Sequence, residues 1–121
     1  MKKSELRKLI KEVIADYYEW GDEFQRFAEK KLKKMKFKGW NFSVNGKSGT
    51  FEFRSDNGDT YIFATPAWDG EAIIPVDVYS INDESKPFFN KSYSLKGYED
   101  FNKAFKYYSR VINTILKRLE R

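Results

Sequence analysis

Trp40-Asn41-Phe42-Ser43-Val44-Asn45-Gly46 decides the architecture. Its apolar residues fall at every second position, the period of a strand with one buried face. Asn-Gly then follows, a pair suited to the positive φ angles of a tight hairpin turn. Phe51 and Phe53 resume the alternation, so the stretch reads as two antiparallel strands. Asp56-Asn57-Gly58-Asp59 marks a second turn. Tyr61 to Ala64 is a third strand, less cleanly alternating and therefore more central. Pro66 to Gly70 reads as a third turn and Ala72 to Tyr79 as a fourth strand. Pro75 inside that strand suggests an edge position or a bulge, because proline cannot donate to a ladder. Phe88 to Leu95 supplies a fifth strand. Short connections favour sequential antiparallel neighbours, hence a meander.

On both sides of this block the period changes. Upstream, Leu6, Ile10, Val13, Tyr17, Trp20, Phe24 and Phe27 step by four and three, which lines one face of a helix. Ser4 suits an N-cap and Glu5 the positive end of the helix dipole. Gly21 suits a helix C′ position, and Asp22 with Gln25 reads as a capping box. Two helices are therefore expected, over 4–20 and 23–36. A single kinked helix and a coiled-coil pairing are the alternatives. Downstream, Phe101, Phe105, Tyr108, Ile112, Ile115 and Leu119 repeat the helical step. Ala104, Val111 and Leu116 widen that stripe to the breadth of a core-facing helix. The expected fold is one α+β domain over 1–121. An N-terminal helix or helix pair precedes an antiparallel meander of four to five strands, a long C-terminal helix follows, and the helices pack on one sheet face.

Composition narrows the chemistry. The 121 residues contain neither cysteine nor histidine. Disulfides, thiolate catalysis, serine triads and histidine-based zinc sites are thereby excluded within this chain. The charged opening Met1 to Arg7 lacks the apolar run of a secretion signal. No stretch approaches the length of a membrane span. A cytoplasmic location is expected, with no cofactor, no metal and no membrane contact.

The net charge of +5 is unevenly shared. Residues 1–38 carry +5, residues 39–97 carry −3 and residues 98–121 carry +3. Lys30, Lys31, Lys33, Lys34, Lys36 and Lys38 form the most basic stretch. They read either as a helix end whose lysines complement its dipole or as a phosphate-contacting patch for DNA or RNA. Lysine in place of arginine points to backbone contact rather than base readout. Adjacent helical aromatics cannot share one narrow stripe, since neighbours point about 100° apart. Tyr18, Trp20 and Tyr107, with Trp68 in a turn, are therefore candidate protein-contact residues.

Asp77 followed by Glu84-Ser85-Lys86 resembles the acid and acid-x-Lys arrangement of metal-dependent nucleases. The triplet lies beside Pro87 in a loop, whereas such chemistry needs a rigid strand. Asp56 to Asp59 is a hairpin turn rather than a calcium loop, because the closing glutamate is missing. Lys3-Ser4-Glu5-Leu6-Arg7-Lys8-Leu9-Ile10-Lys11-Glu12 resembles the start of many small tailed-phage proteins. The Tyr61-Ile62-Phe63 strand and the closing Val111-Ile112-x-x-Ile115-Leu116 helix are similar in layout to small uncharacterised proteins of that group. The resemblance implies a phage origin, hence the host cytoplasm, and no activity. The leading expectation is a non-enzymatic binding or assembly protein whose helical layer contacts a protein partner or a second copy as a homodimer. A DNA- or RNA-binding module using Lys30 to Lys38 is the alternative, and a metal-dependent nuclease the distant third.

Overall fold

The computed structural model describes residues 20–46, 49–68 and 71–119. Helix α1 covers 20–33 of these. Six strands follow: β1 (Trp40–Val44), β2 (Phe51–Ser55), β3 (Thr60–Phe63), β4 (Ala67–Trp68), β5 (Ala72–Ser80) and β6 (Phe89–Ser94). Helix α2 (Phe101–Leu119) closes the chain. All strands pair antiparallel in one sheet, ordered β1-β2-β3-β5, with β4 and β6 also paired to β5. This is the α+β layout expected from the periodicities. No helix among the described residues is long and apolar enough to cross a membrane.

One face of the sheet forms the core. Phe53 stands opposite Phe42 on β1 and Ile62 on β3, and Ile62 stands opposite Val78 on β5. Phe51, Ile74 and Val76 share that face and are buried. Phe24, Ala28 and Leu32 from α1 pack there with Ala104, Tyr108, Ile112 and Leu116 from α2. Both helical rows repeat at four-residue steps, which is why each presents a continuous apolar stripe. Tyr108 is fully buried, and its hydroxyl donates to the Ala64 carbonyl at 2.6 Å. A buried phenol needs such a partner.

Three local expectations are corrected. Residues 20–23 are all helical, so α1 runs through Gly21 rather than breaking there. Trp20 stacks on Phe24 one turn later, with ring centroids 5.2 Å apart. The upstream helix expected over 4–20 lies outside the described residues apart from Trp20, and α1 stops at 33 rather than 36. Second, the 66–70 turn contains the short strand β4. Strand β5 has nine residues and β3 pairs only with its last four, so Ala67 and Trp68 pair opposite Ile73 and Ala72.

The third correction concerns Pro75, which sits in an interior strand without a bulge. It stands opposite Ser92 of β6. The Ala72 carbonyl accepts from the Leu95 N–H, so alternate residues from Ala72 turn their backbone groups to β6. Pro75 therefore turns its nitrogen to the other edge. There the pairing to β3 ends at Asp77 and the pairing to β4 begins at Ile73. The missing donor falls in the break between two neighbours, where no ladder bond is lost.

The β2–β3 connection shows how tightly a turn can be specified. The Gly58 N–H donates to the Ser55 carbonyl at 2.9 Å, and Asn57 Oδ1 accepts from the Asp59 N–H at 3.0 Å. Gly58 has φ of 76°. An added Cβ would meet nothing within 4 Å, so a substitution there acts through the backbone alone. Gly58→Ala should lower stability by about 1–2 kcal/mol, the cost of a left-handed non-glycine residue. Urea unfolding measures this directly, and an unchanged midpoint would contradict the turn geometry.

Candidate protein-contact surface

Strand alternation that buries Phe53, Ile62 and Val78 turns their neighbours to the opposite face. Among the described residues neither helix covers that face. Tyr61 and Phe63 on β3 meet Tyr79 on β5 there. Tyr61 and Tyr79 are stacked, with centroids 5.3 Å apart and planes 10° from parallel. Phe63 meets Tyr61 at 5.5 Å and Tyr79 at 5.8 Å, both near edge-on. These geometries suit the ring quadrupoles and hold the three rings as one unit. Phe63 and Tyr79 remain partly exposed.

Charge frames the rings. The Arg54 guanidinium lies over the Tyr61 ring at 5.1 Å and bonds Glu52 at 3.2 Å. Asp77 accepts from the Asn90 amide across β5 and β6. Burial, and after it the neighbouring Glu84 carboxylate, raises the Tyr61 phenol above its ordinary pKa. Like any tyrosine phenol it is neutral near pH 7 and can donate. A shallow cleft of about 560 Å³, lined by Ser43, Val44, Asn45, Thr50, Glu52 and Phe63, opens at the β1–β2 end. The β5–β6 loop exposes two large apolar residues, Ile81 at 44% and Phe88 at 57%. Exposed aromatics bordered by polar groups are a common feature of protein interfaces.

The six lysines are all exposed. Lys30, Lys31 and Lys33 lie on α1, while Lys34, Lys36 and Lys38 follow it on the way to β1. Lys33 pairs with Glu29 at 3.7 Å, and Lys31 sits 5.4 Å from the Phe27 ring centroid. They form one basic corner, but not on one helix, because α1 ends before Lys34.

The helical aromatics have a different situation. Trp20 lies between α1 and α2, 5.4 Å from Phe101, and its indole N–H donates to the Glu99 carbonyl at 2.8 Å. Tyr107 is half-buried and stacks on Tyr98 at 4.7 Å. Both rings are engaged within the molecule. Tyr18 and the side chain of Trp68 lie outside the described residues. Asp77 stands opposite Phe63 and bonds Asn90, Glu84 lies beside Tyr61 at the other end of β3, Lys86 is exposed, and among the described residues no three acidic groups gather closely enough to hold a metal ion.

Sequence reasoning passed over Tyr61, Phe63 and Tyr79. The available signal was Tyr61-Ile62-Phe63, with aromatic, aliphatic and aromatic residues in turn. It reads as a more central strand, and Tyr61 and Ile62 are both buried, with Ile62 on the face that the described helices cover. Comparison with protein-family models, curated proteins and solved structures finds no match.

Proposed function

We propose that this chain is a non-enzymatic binding and assembly protein that works through protein–protein contacts. The observation that carries this reading is the stacked Tyr61, Phe63 and Tyr79 cluster on the sheet face that neither described helix covers. The helical layer contributes its basic corner rather than Trp20 and Tyr107, which are engaged inside the molecule. Preformed rings lose little conformational freedom on binding, a reason aromatic residues serve as interface anchors. The test uses tagged wild type beside an Ile81→Asp, Phe88→Asp double variant, whose changes lie in an exposed loop. The wild type should retain a protein in fixed stoichiometry, and the variant should lose it at least tenfold while keeping its circular dichroism. Equal retention by both, or no retained protein, overturns the reading.

Nucleic-acid binding is the second reading, favoured by six exposed lysines in one corner. It places backbone phosphates against Lys30 to Lys38. Affinity for a 30-nucleotide single strand or a 30-base-pair duplex should then fall steeply with salt. Lys31→Glu, Lys33→Glu and Lys34→Glu together should remove it. Unchanged mobility of both probes at 50 mM salt disposes of it.

A further inference from the structure

We infer that the sheet face that neither described helix covers receives the lysine-rich corner of a second copy, so that the chain assembles head to tail. The inference rests on the protein-contact reading above and adds the partner. Charge selects this arrangement over the two symmetric ones. The sheet face carries Glu52, Asp77 and Glu84 around its rings, and its one guanidinium, Arg54, already bonds Glu52. Two such faces would bring carboxylates together. Two lysine corners would bring Lys30, Lys31, Lys34, Lys36 and Lys38 together. Like charges set opposite each other at an interface are costly. Only the sheet face against the lysine corner joins opposite signs.

The contact chemistry already occurs inside the molecule. Lys31 sits over Phe27, Lys91 lies 5.0 Å from the Tyr93 ring centroid, and Arg54 covers Tyr61. Lysine stems laid on Phe63 and Tyr79 would repeat this pairing, with the ammonium groups reaching Asp77 and Glu84. Two different patches meet, so the interface is heterologous. Such an interface grows into rings or open chains rather than stopping at a dimer.

Sedimentation of nucleic-acid-free protein tests the idea. At 50 mM salt the wild type should exceed dimer mass as concentration rises to 1 mM, and 500 mM salt should reverse this. Lys30→Glu with Lys34→Glu removes one patch, and Asp77→Asn with Glu84→Gln removes the other without creating a new cation for the first variant's glutamates. Each folded variant should stay near the monomer mass of 14.4 kDa. An equimolar mixture should recover a one-to-one dimer and nothing larger, because only one good patch of each kind remains. A wild type that stays monomeric at 1 mM, or a mixture of folded variants that fails to pair, overturns the inference. So do single variants that assemble as the wild type does. Should the wild type be monomeric yet hold another protein that Ile81→Asp, Phe88→Asp releases, the broader contact reading stands and the self-assembly fails.

Discussion

Phe53→Ala should lower the free energy of unfolding by about 3–5 kcal/mol, the usual cost of deleting a buried phenyl ring. Phe53 is fully buried at the centre of β2, flanked by β1 and β3. The Phe37 ring meets it edge-on at 5.2 Å, and the Phe42 ring lies tilted against it at 5.0 Å. Removing it takes away its own burial and strands two further rings without their contact. A domain of this size has about 5–15 kcal/mol in total, so the variant would lie near the edge of folding. Urea unfolding followed by circular dichroism should show a lower midpoint with an unchanged slope. Phe88→Ala is the control. Phe88 is 57% exposed, and its loss should change stability by no more than about 0.5 kcal/mol. Equal effects at the two positions would contradict the burial of Phe53 in the core and the exposure of Phe88 in the β5–β6 loop.

Alkaline pH should expose the second large effect, at Tyr108. Burial holds this phenol well above its ordinary pKa of 10.0. An acid whose folded pKa is raised contributes stability that is complete below the unfolded pKa. That stability is lost as pH rises towards the folded pKa, because the unfolded chain releases its proton first. One such group removes about 1.4 kcal/mol per pH unit above pH 10. Tyr108→Phe cannot ionise. At pH 7 it leaves the Ala64 carbonyl without its donor and should cost about 1–2 kcal/mol. The deficit should shrink above pH 10 and reverse at roughly pH 10.7–11.5, since only the wild type loses the contribution of this phenol. Parallel pH profiles for the two proteins would show that the hydroxyl is not buried as described.

Periodicity made the architecture legible because it averages over many residues. The four-and-three steps in α2 and the alternation in β1 and β2 each rest on several side chains that agree. Gly21 and Pro75 misled because each is a single local signal judged without its surroundings. Trp20 and Phe24 stack across Gly21, and the break between β3 and β4 absorbs the missing donor of Pro75. The contact surface was harder still. Aromatic residues at helix positions suggested surplus, yet Trp20 and Tyr107 find partners about 80 and 9 positions away in the chain. Tyr61 to Ala64 suggested a more central strand, because a sequence states hydrophobicity and not which sheet face the helices pack on. The lysine corner was visible in the sequence. The carboxylates proposed to oppose it are scattered over β2, β5 and the following loop: the register sets Glu52 and Asp77 beside Phe63, and the loop brings Glu84 to Tyr61.

The bond from Trp20 to the Glu99 carbonyl spans 79 positions of sequence. It also sets a waiting time during synthesis. A ribosome adds roughly 5–20 residues per second, so α1 emerges roughly 4–16 s before the helix it packs against is complete. Through that interval the apolar stripe of Trp20, Phe24 and Phe27 lacks the Phe101 ring that all three contact in the finished fold. The nascent chain is thus most exposed to aggregation and to chaperone capture just before its last nineteen-residue helix arrives.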